Sequence, residues 1–193
     1  MNIEFNFISN IQSCFDIVRD AVPVNLVYYS HIPASIASLI IGFFVLIKNK
    51  QLIGKIIFFI TLTFSAWCFI DIFLWVSYNS QIYMFFWVFV DILSLLLFIL
   101  NVYMINVFAD NHDVKLWVKI VWFVLLLPLV VSFGTKYAIS SFNLTECLPM
   151  ETRLHSNYVV FTYAVMLAWF LLSVFIKYIK AGINNKKQIL IIS

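Results

Sequence analysis

Charge is what this sequence has least of. Only 11% of its 193 residues are Asp, Glu, Lys or Arg, against about 25% in an ordinary soluble domain. So few charges cannot coat the core of a soluble protein of this length with polar surface. That excludes a soluble globular enzyme, a disordered chain and a nucleic-acid-binding module, so no nucleic acid is expected as a partner. Glycine and proline are scarce too, at four each. No Gly-rich phosphate loop, nucleophile elbow, zinc motif or pair of catalytic carboxylates is found. Three His and three Cys are widely scattered, so neither a metal nor a cofactor is expected. No internal repeat supports an inverted-repeat transporter.

What is present is apolar. Hydrophobic residues make up 64% of the chain, and Phe alone occurs 21 times. A helix crosses roughly 30 Å of hydrocarbon with about 20 mostly apolar residues, each rising about 1.5 Å. Five segments meet that test, over about 26–47, 52–76, 82–108, 116–133 and 158–179. Backbone groups in lipid must be satisfied within the segment, and no period-2 alternation of a barrel strand is seen. The expected fold class is therefore all-α: a polytopic helical transmembrane bundle of five complete spans, occupying 26–180. The lipid bilayer is its first partner.

Basic residues set the expected orientation. Lys48, Lys50, Lys55, Lys115, Lys119, Lys177, Lys180, Lys186 and Lys187 fall on one side, and Arg19, Lys136 and Arg153 on the other. Nine against three places the N-terminus outside and the later lysines in the cytoplasm of a cell membrane. Residues 1–25 lack a signal-peptide pattern. There Ile8, Ile11, Phe15, Val18 and Val22 recur at helical spacing, which reads as an amphipathic leader on the outer face or, alternatively, as a frayed polar one. Residues 181–193 form a cytoplasmic basic segment. It ends on the apolar run Gln188 to Ser193, read either as the start of a sixth span in a truncated chain or as a short apolar tail.

Several local features carry a family likeness. Tyr29-Ser-His-Ile-Pro-Ala34 opens span one, and Lys48-Asn-Lys50 forms a basic turn. Trp67, Asp71 and Trp75 follow in span two, and Trp87 early in span three. Glu146-Cys-Leu-Pro149 lies in the long outer loop, and Lys186-Lys-Gln-Ile189 comes near the end. This pattern resembles the N-terminal seven-transmembrane sensor region of bacterial histidine kinases. The resemblance implies a sensor input module of a two-component system, often dimeric, passing its signal to a cytoplasmic kinase-type output domain. No phosphoacceptor helix or ATP-binding domain is present in the sequence, and His112 and His155 are placed in short loops. The chain therefore belongs to a histidine kinase only if such a domain follows it.

Ionisable groups inside spans are functional candidates because they are costly in hydrocarbon. His31 and Asp71 fall at similar depth in the outer half, and Asp91 is placed near mid-bilayer, about 15 Å into span three. Trp67 and Asp71 share a helix face, as do Trp87 and Asp91, each pair being four apart. The sharpest expectation is that His31, Trp67, Asp71, Trp87 and Asp91 line one outward-facing ligand pocket. The competing reading is that they seal helix contacts by hydrogen bonds. Trp75, Trp117 and Tyr158 are placed at the interfaces. Ala34, Ser38 and Gly42 form a stripe of small residues, the one candidate for close helix approach or dimer contact. Pro33 is placed in the first turn of its span, and Pro128 should kink span four. Cys68 is taken as core, while Cys14 and Cys147 are both placed outside, either disulfide-bonded or as free thiols. Three function classes follow: a membrane sensor, a small proton, cation or solute transporter subunit using His31, Asp71 and Asp91 as its path, or a structural membrane protein with no ligand.

Overall fold

The computed structural model describes residues 24–77, 79–143 and 148–180. Cys14, Cys147, the last segment from 181 and the leader as far as residue 23 lie outside the described residues. Five helices run through the rest: α1 (Val24–Lys48), α2 (Leu52–Val76), α3 (Ser80–Asp110), α4 (Leu116–Ser132) and α5 (Arg153–Lys180). Between α4 and α5 stand two strands, β1 (Ile139–Asn143) and β2 (Leu148–Glu151). Four helices, all but α4, are long and apolar enough to cross a membrane; α4 is apolar but has 17 residues. At about 1.5 Å per residue α4 spans about 26 Å, slightly short of the hydrocarbon.

The connections explain why these helices pack as neighbours. Lys48 and Leu52 are joined by a tight turn in which the Asn49 side chain accepts from the Gln51 amide at 3.0 Å. Gly54 lies so close to the Asn49 carbonyl that any Cβ there would strike backbone. Asn79 caps α3, its side-chain oxygen accepting from the amides of Gln81 (2.9 Å) and Ile82 (3.4 Å). Asn111 ends α3 in the left-handed conformation, at φ 56°, which Asn tolerates better than most residues.

Helix α3 is the axis of the bundle. Val88, Ile92, Leu95, Ile99 and Val102 on it are buried together with Trp122 and Leu129 of α4 and Met166 of α5. Tyr103 and Trp169 each meet Trp122 edge-on, at 6.1 and 6.4 Å between ring centres. The Trp122 indole N–H has no acceptor among the described residues. The outward faces of α1 and α5 are exposed and apolar, with Ile40, Phe44, Phe161 and Leu172 among their residues. Such a surface suits lipid as its solvent.

Polar and small residues join α1 to α2. Ser35 and Ser65 hydrogen-bond across the pair, both buried. The Ser38 hydroxyl donates to the Thr61 carbonyl at 3.2 Å, and Gly42 lies directly against the Thr61 side chain. The stripe read from sequence is therefore used within the chain. Pro33 is a second difference. Because α1 begins at Val24, Pro33 is interior, and its missing N–H leaves the Tyr29 carbonyl without its usual donor.

The strands are an addition to the all-helical expectation. They pair antiparallel, Ile139 opposite Glu151, Phe142 opposite Pro149 and Asn143 opposite Leu148, with a bulge between Ile139 and Ser141. Their lengths, five and four residues, leave too few alternations for the pattern to be visible in sequence. Phe142 meets Tyr83 of α3 edge-on at 6.0 Å, which anchors the hairpin on the start of α3.

The α1–α2 contact yields a test. Gly42→Val forces a side chain into Thr61 and is expected to cost about 1–3 kcal/mol of stability. Ile41→Val, on the exposed face, should change it by no more than about 0.5 kcal/mol. Unfolding in mixed micelles measures both, and equal effects would show that α1 does not meet α2 through Gly42.

Candidate functional site

His31, Asp71, Asp91 and His155 lie in the half of the bundle nearer the hairpin. His31, on the second turn of α1, faces Asp71 near the end of α2, with Nε2 to Oδ2 at 3.0 Å. Both side chains are only 20% exposed. The same carboxylate oxygen accepts from the Trp75 indole at 3.1 Å. The His31 ring stacks on Trp67 at 6.1 Å. His31, Trp67 and Asp71 thus form one cluster, built by residues one turn apart on α2 facing one residue of α1.

Asp91 has a different partner. Its Oδ2 lies 3.4 Å from Nε2 of His155, a side chain that is 2% exposed. His155 stands on the first turn of α5, not in a loop, because α5 begins at Arg153. Thr152 sets that start: its hydroxyl oxygen accepts from the His155 amide at 3.2 Å and donates to the Tyr137 carbonyl. An N-cap Thr ahead of an apolar run is a signal the sequence does carry. The polar stretch His155-Ser-Asn157 hides it by postponing the hydrophobic segment to Tyr158.

Asp91 is placed by its neighbours on α5 and β2. Counted from Ser80 it lies about 16 Å along the helix. Counted from its neighbours it is level with the first turn of α5, and Trp87, one turn nearer the hairpin, donates to Glu151 of β2 at 2.8 Å. Helix α3 has 31 residues, about 46 Å of length. Its first turns stand beside the hairpin.

The two Trp-x-x-x-Asp faces therefore diverge. The Trp67 indole donates to Ser94 of α3 at 3.1 Å, while Trp87 reaches the hairpin. Tyr163 of α5 interacts with the same Ser94. The outcome is a belt of polar links across four helices, from α1–α2 through α2–α3 to α3–α5. A hollow of about 230 Å³ lies at this end, between Met84, Phe85 and Val88 of α3 and Lys136 and Ile139 after α4. None of the five residues expected to line a pocket borders it. Among the described residues no three His, Cys, Asp or Glu side chains gather as a metal site.

The opposite end carries the lysines. Lys177 of α5 donates to the Asn106 side chain (2.8 Å), the Asn106 carbonyl (3.2 Å) and Asp110 (3.0 Å), all on α3. Asp113, in the α3–α4 connection, accepts from Lys119 and from the Tyr103 hydroxyl, both at 2.6 Å. These bonds, Lys119 first and Tyr103 second, hold its carboxyl below the usual aspartate range. Both carboxylates at this end are thus engaged, while Lys48, Lys50 and Lys115 are exposed.

No family model, curated protein or solved structure matches this chain.

Two measurements check this geometry. Thr152→Ala removes the cap of α5 and should cost about 1 kcal/mol, with faster amide exchange confined to the first turn of α5; unchanged exchange at His155 would show that Thr152 does not set the helix start. The Asp113 links should strengthen the α3–α4 connection above the ordinary aspartate range. That contribution fades as pH falls through the lowered carboxyl value. Amide exchange of Val114, taken relative to its intrinsic rate at each pH, should therefore accelerate on acidification in the parent. In Tyr103→Phe the acceleration should begin at higher pH, and an identical profile would remove Tyr103 from the account.

Proposed function

We propose that this chain is the membrane-embedded input module of a signalling protein. A stimulus received at the hairpin end shifts the packing of α3 and α5, and the shift is read at the lysine-rich end. One observation carries the reading. Helices α3 and α5 are joined by ionisable side chains at both ends, Asp91–His155 at one and Asp110–Lys177 at the other. Between His155 and Lys177 lie about 33 Å of helix, close to a membrane thickness.

Such a pair conveys a signal if its two arrangements differ in affinity for the stimulus. Histidine is the side chain that changes charge nearest neutral pH. With His155 neutral, its contact with Asp91 is a single hydrogen bond; with His155 charged, it is an ion pair. A proton is therefore the stimulus that the described groups accept most directly. His31 and Asp71 offer the same chemistry between α1 and α2, so Asp71 and Asp91 become the acceptor groups, and Trp67 and Trp87 hold the helices that carry them. In this reading the five spans include α4, the N-terminus is outside and the lysines face the cytoplasm. The resemblance to kinase sensor regions supports a histidine kinase-type output on that side.

The test is amide exchange of the full chain in lipid nanodiscs at pH 7.5 and 5.5. Acidification should change amide protection, read as exchange relative to the intrinsic rate at each pH, in the last two turns of α5 and in the α3–α4 connection. Asp91→Asn, which keeps a hydrogen-bonding group of the same size, should fold normally and reduce the change at least fivefold. No change in the parent, or the same change in the variant, would end the proposal. Sustained proton flux into liposomes carrying the parent would replace it with the transporter reading.

A further inference from the structure

We infer that the cleft at the lysine-rich end binds an anionic phospholipid of the surrounding leaflet, with its phosphate at the rim and its acyl chains along the walls. The cleft measures about 560 Å³, within the range of about 300–1,000 Å³ of small-molecule sites. Leu52 and Ile53 of α2 and Val107 and Phe108 of α3 supply its apolar walls. Gln51 borders it from the α1–α2 connection, and Asn111, His112 and Asp113 border it from the α3–α4 connection. Neither connection is helical there, and non-helical backbone does not face lipid within the hydrocarbon. The polar rim of the cleft therefore stands at headgroup level, while its apolar walls belong to helices that continue into the acyl region.

The charges beside the cleft fix the sign of its ligand. Lys50 adjoins Gln51, Lys55 lies in the first turn of α2, Lys48 ends α1 and Lys115 precedes α4. All four are exposed, and none has an acidic partner among the described residues. The carboxylates at this end are taken: Asp110 by Lys177 at 3.0 Å, and Asp113, which borders the cleft, by Lys119 at 2.6 Å. The rest of the chain does not supply the missing anion. Residues 181–193 follow α5 at this end and contain Lys186 and Lys187 but no Asp or Glu. The leader and residues 144–147 join the described elements at the opposite end. Lysines that serve only to orient a chain need neither a cleft beside them nor neighbouring carboxylates engaged elsewhere. An anionic headgroup accounts for both, because juxtamembrane lysines attract it and basic pockets between helices hold it. At the rim the Gln51 and Asn111 amides offer donors to the phosphate and acceptors to headgroup hydroxyls. His112 donates through Nδ1 to the Asp113 carbonyl at 3.0 Å, which leaves Nε2 for the ligand. The inference does not depend on the signalling proposal, because a transporter subunit would present the same cleft.

The experiment counts lipids retained by the full chain in native mass spectrometry, from micelles of a non-ionic detergent titrated with dioleoylphosphatidylglycerol or dioleoylphosphatidylcholine. Phosphatidylglycerol should be retained at concentrations about tenfold below those that phosphatidylcholine needs. Lys50→Gln and Lys55→Gln should each weaken that retention about fivefold, the effect of one lysine near an anionic surface. Lys136→Gln, equally exposed but at the hairpin end, should leave it unchanged. A photoreactive phosphatidylglycerol should label residues 51–53 or 107–113, which reads the site without any substitution. Equal retention of the two lipids, an equal loss in Lys136→Gln, or labelling confined to other segments would overturn the inference. Displacement of the lipid by an equal concentration of glycerol 1-phosphate would overturn it too, and would assign the cleft to a soluble phosphate.

Discussion

An imidazole, amide or carboxylate on a helix that faces hydrocarbon has no water to turn to, so it must find its partner on a neighbouring helix. That constraint organises this bundle. Ser35 finds Ser65, Trp67 finds Ser94, His31 finds Asp71, and Lys177 finds Asn106 and Asp110. Each link spans two helices, and together they fix which faces meet. Apolar side chains then fill the space between. Non-directional packing alone would allow α3 to rotate against α5 with little penalty. A lysine with three acceptors at fixed positions on α3 does not allow it. The core around Leu95, Val102, Trp122 and Met166 stabilises the bundle, while the polar links select one arrangement of it.

How much of this is legible in the sequence follows from the range of each interaction. The apolar runs are local, so α1 to α4 come within about two residues of the segments expected from composition. The small-residue stripe is also local, and it does mark a close contact, with α2. Partner choice is not local. The i,i+4 spacing of Trp67 with Asp71 and of Trp87 with Asp91 is visible, yet nothing in it says that the second pair turns to Glu151 and His155. Those partners are 64 residues away in each case. The hairpin escaped because β1 and β2 are short and Pro149 sits inside one of them, where a proline argues against a strand. His155 escaped because its cap, Thr152, precedes polar residues before the apolar run begins. Once the start of α5 is known, the partner of Asp91 follows, because this part of α3 and the first turn of α5 are level and the two side chains meet.

The two ends of the α3–α5 pair differ chemically, and the difference gives the pair a direction. At the hairpin end the bond joins a histidine to an aspartate, and a histidine changes charge within the range of pH a cell meets. At the other end the bond joins a lysine to an aspartate and an asparagine. The three contacts of Lys177 hold α5 at fixed points on α3. In the proposed reading one end changes state and the other holds its geometry. If the Asp91–His155 contact loosens while Lys177 keeps its grip on α3, α5 pivots about its lysine-rich end. If the Lys177 contacts yield first, the helix slides as a unit. The three-point hold of Lys177, set against a single 3.4 Å contact at His155, favours the pivot. A pivot moves the hairpin end of α5 most and alters chiefly the angle at which α5 leaves the lysine-rich end. An angle is what a downstream helix continuing from α5 would inherit, so the asymmetry of the two bonds suits an input module better than it suits a path for ions through the bundle.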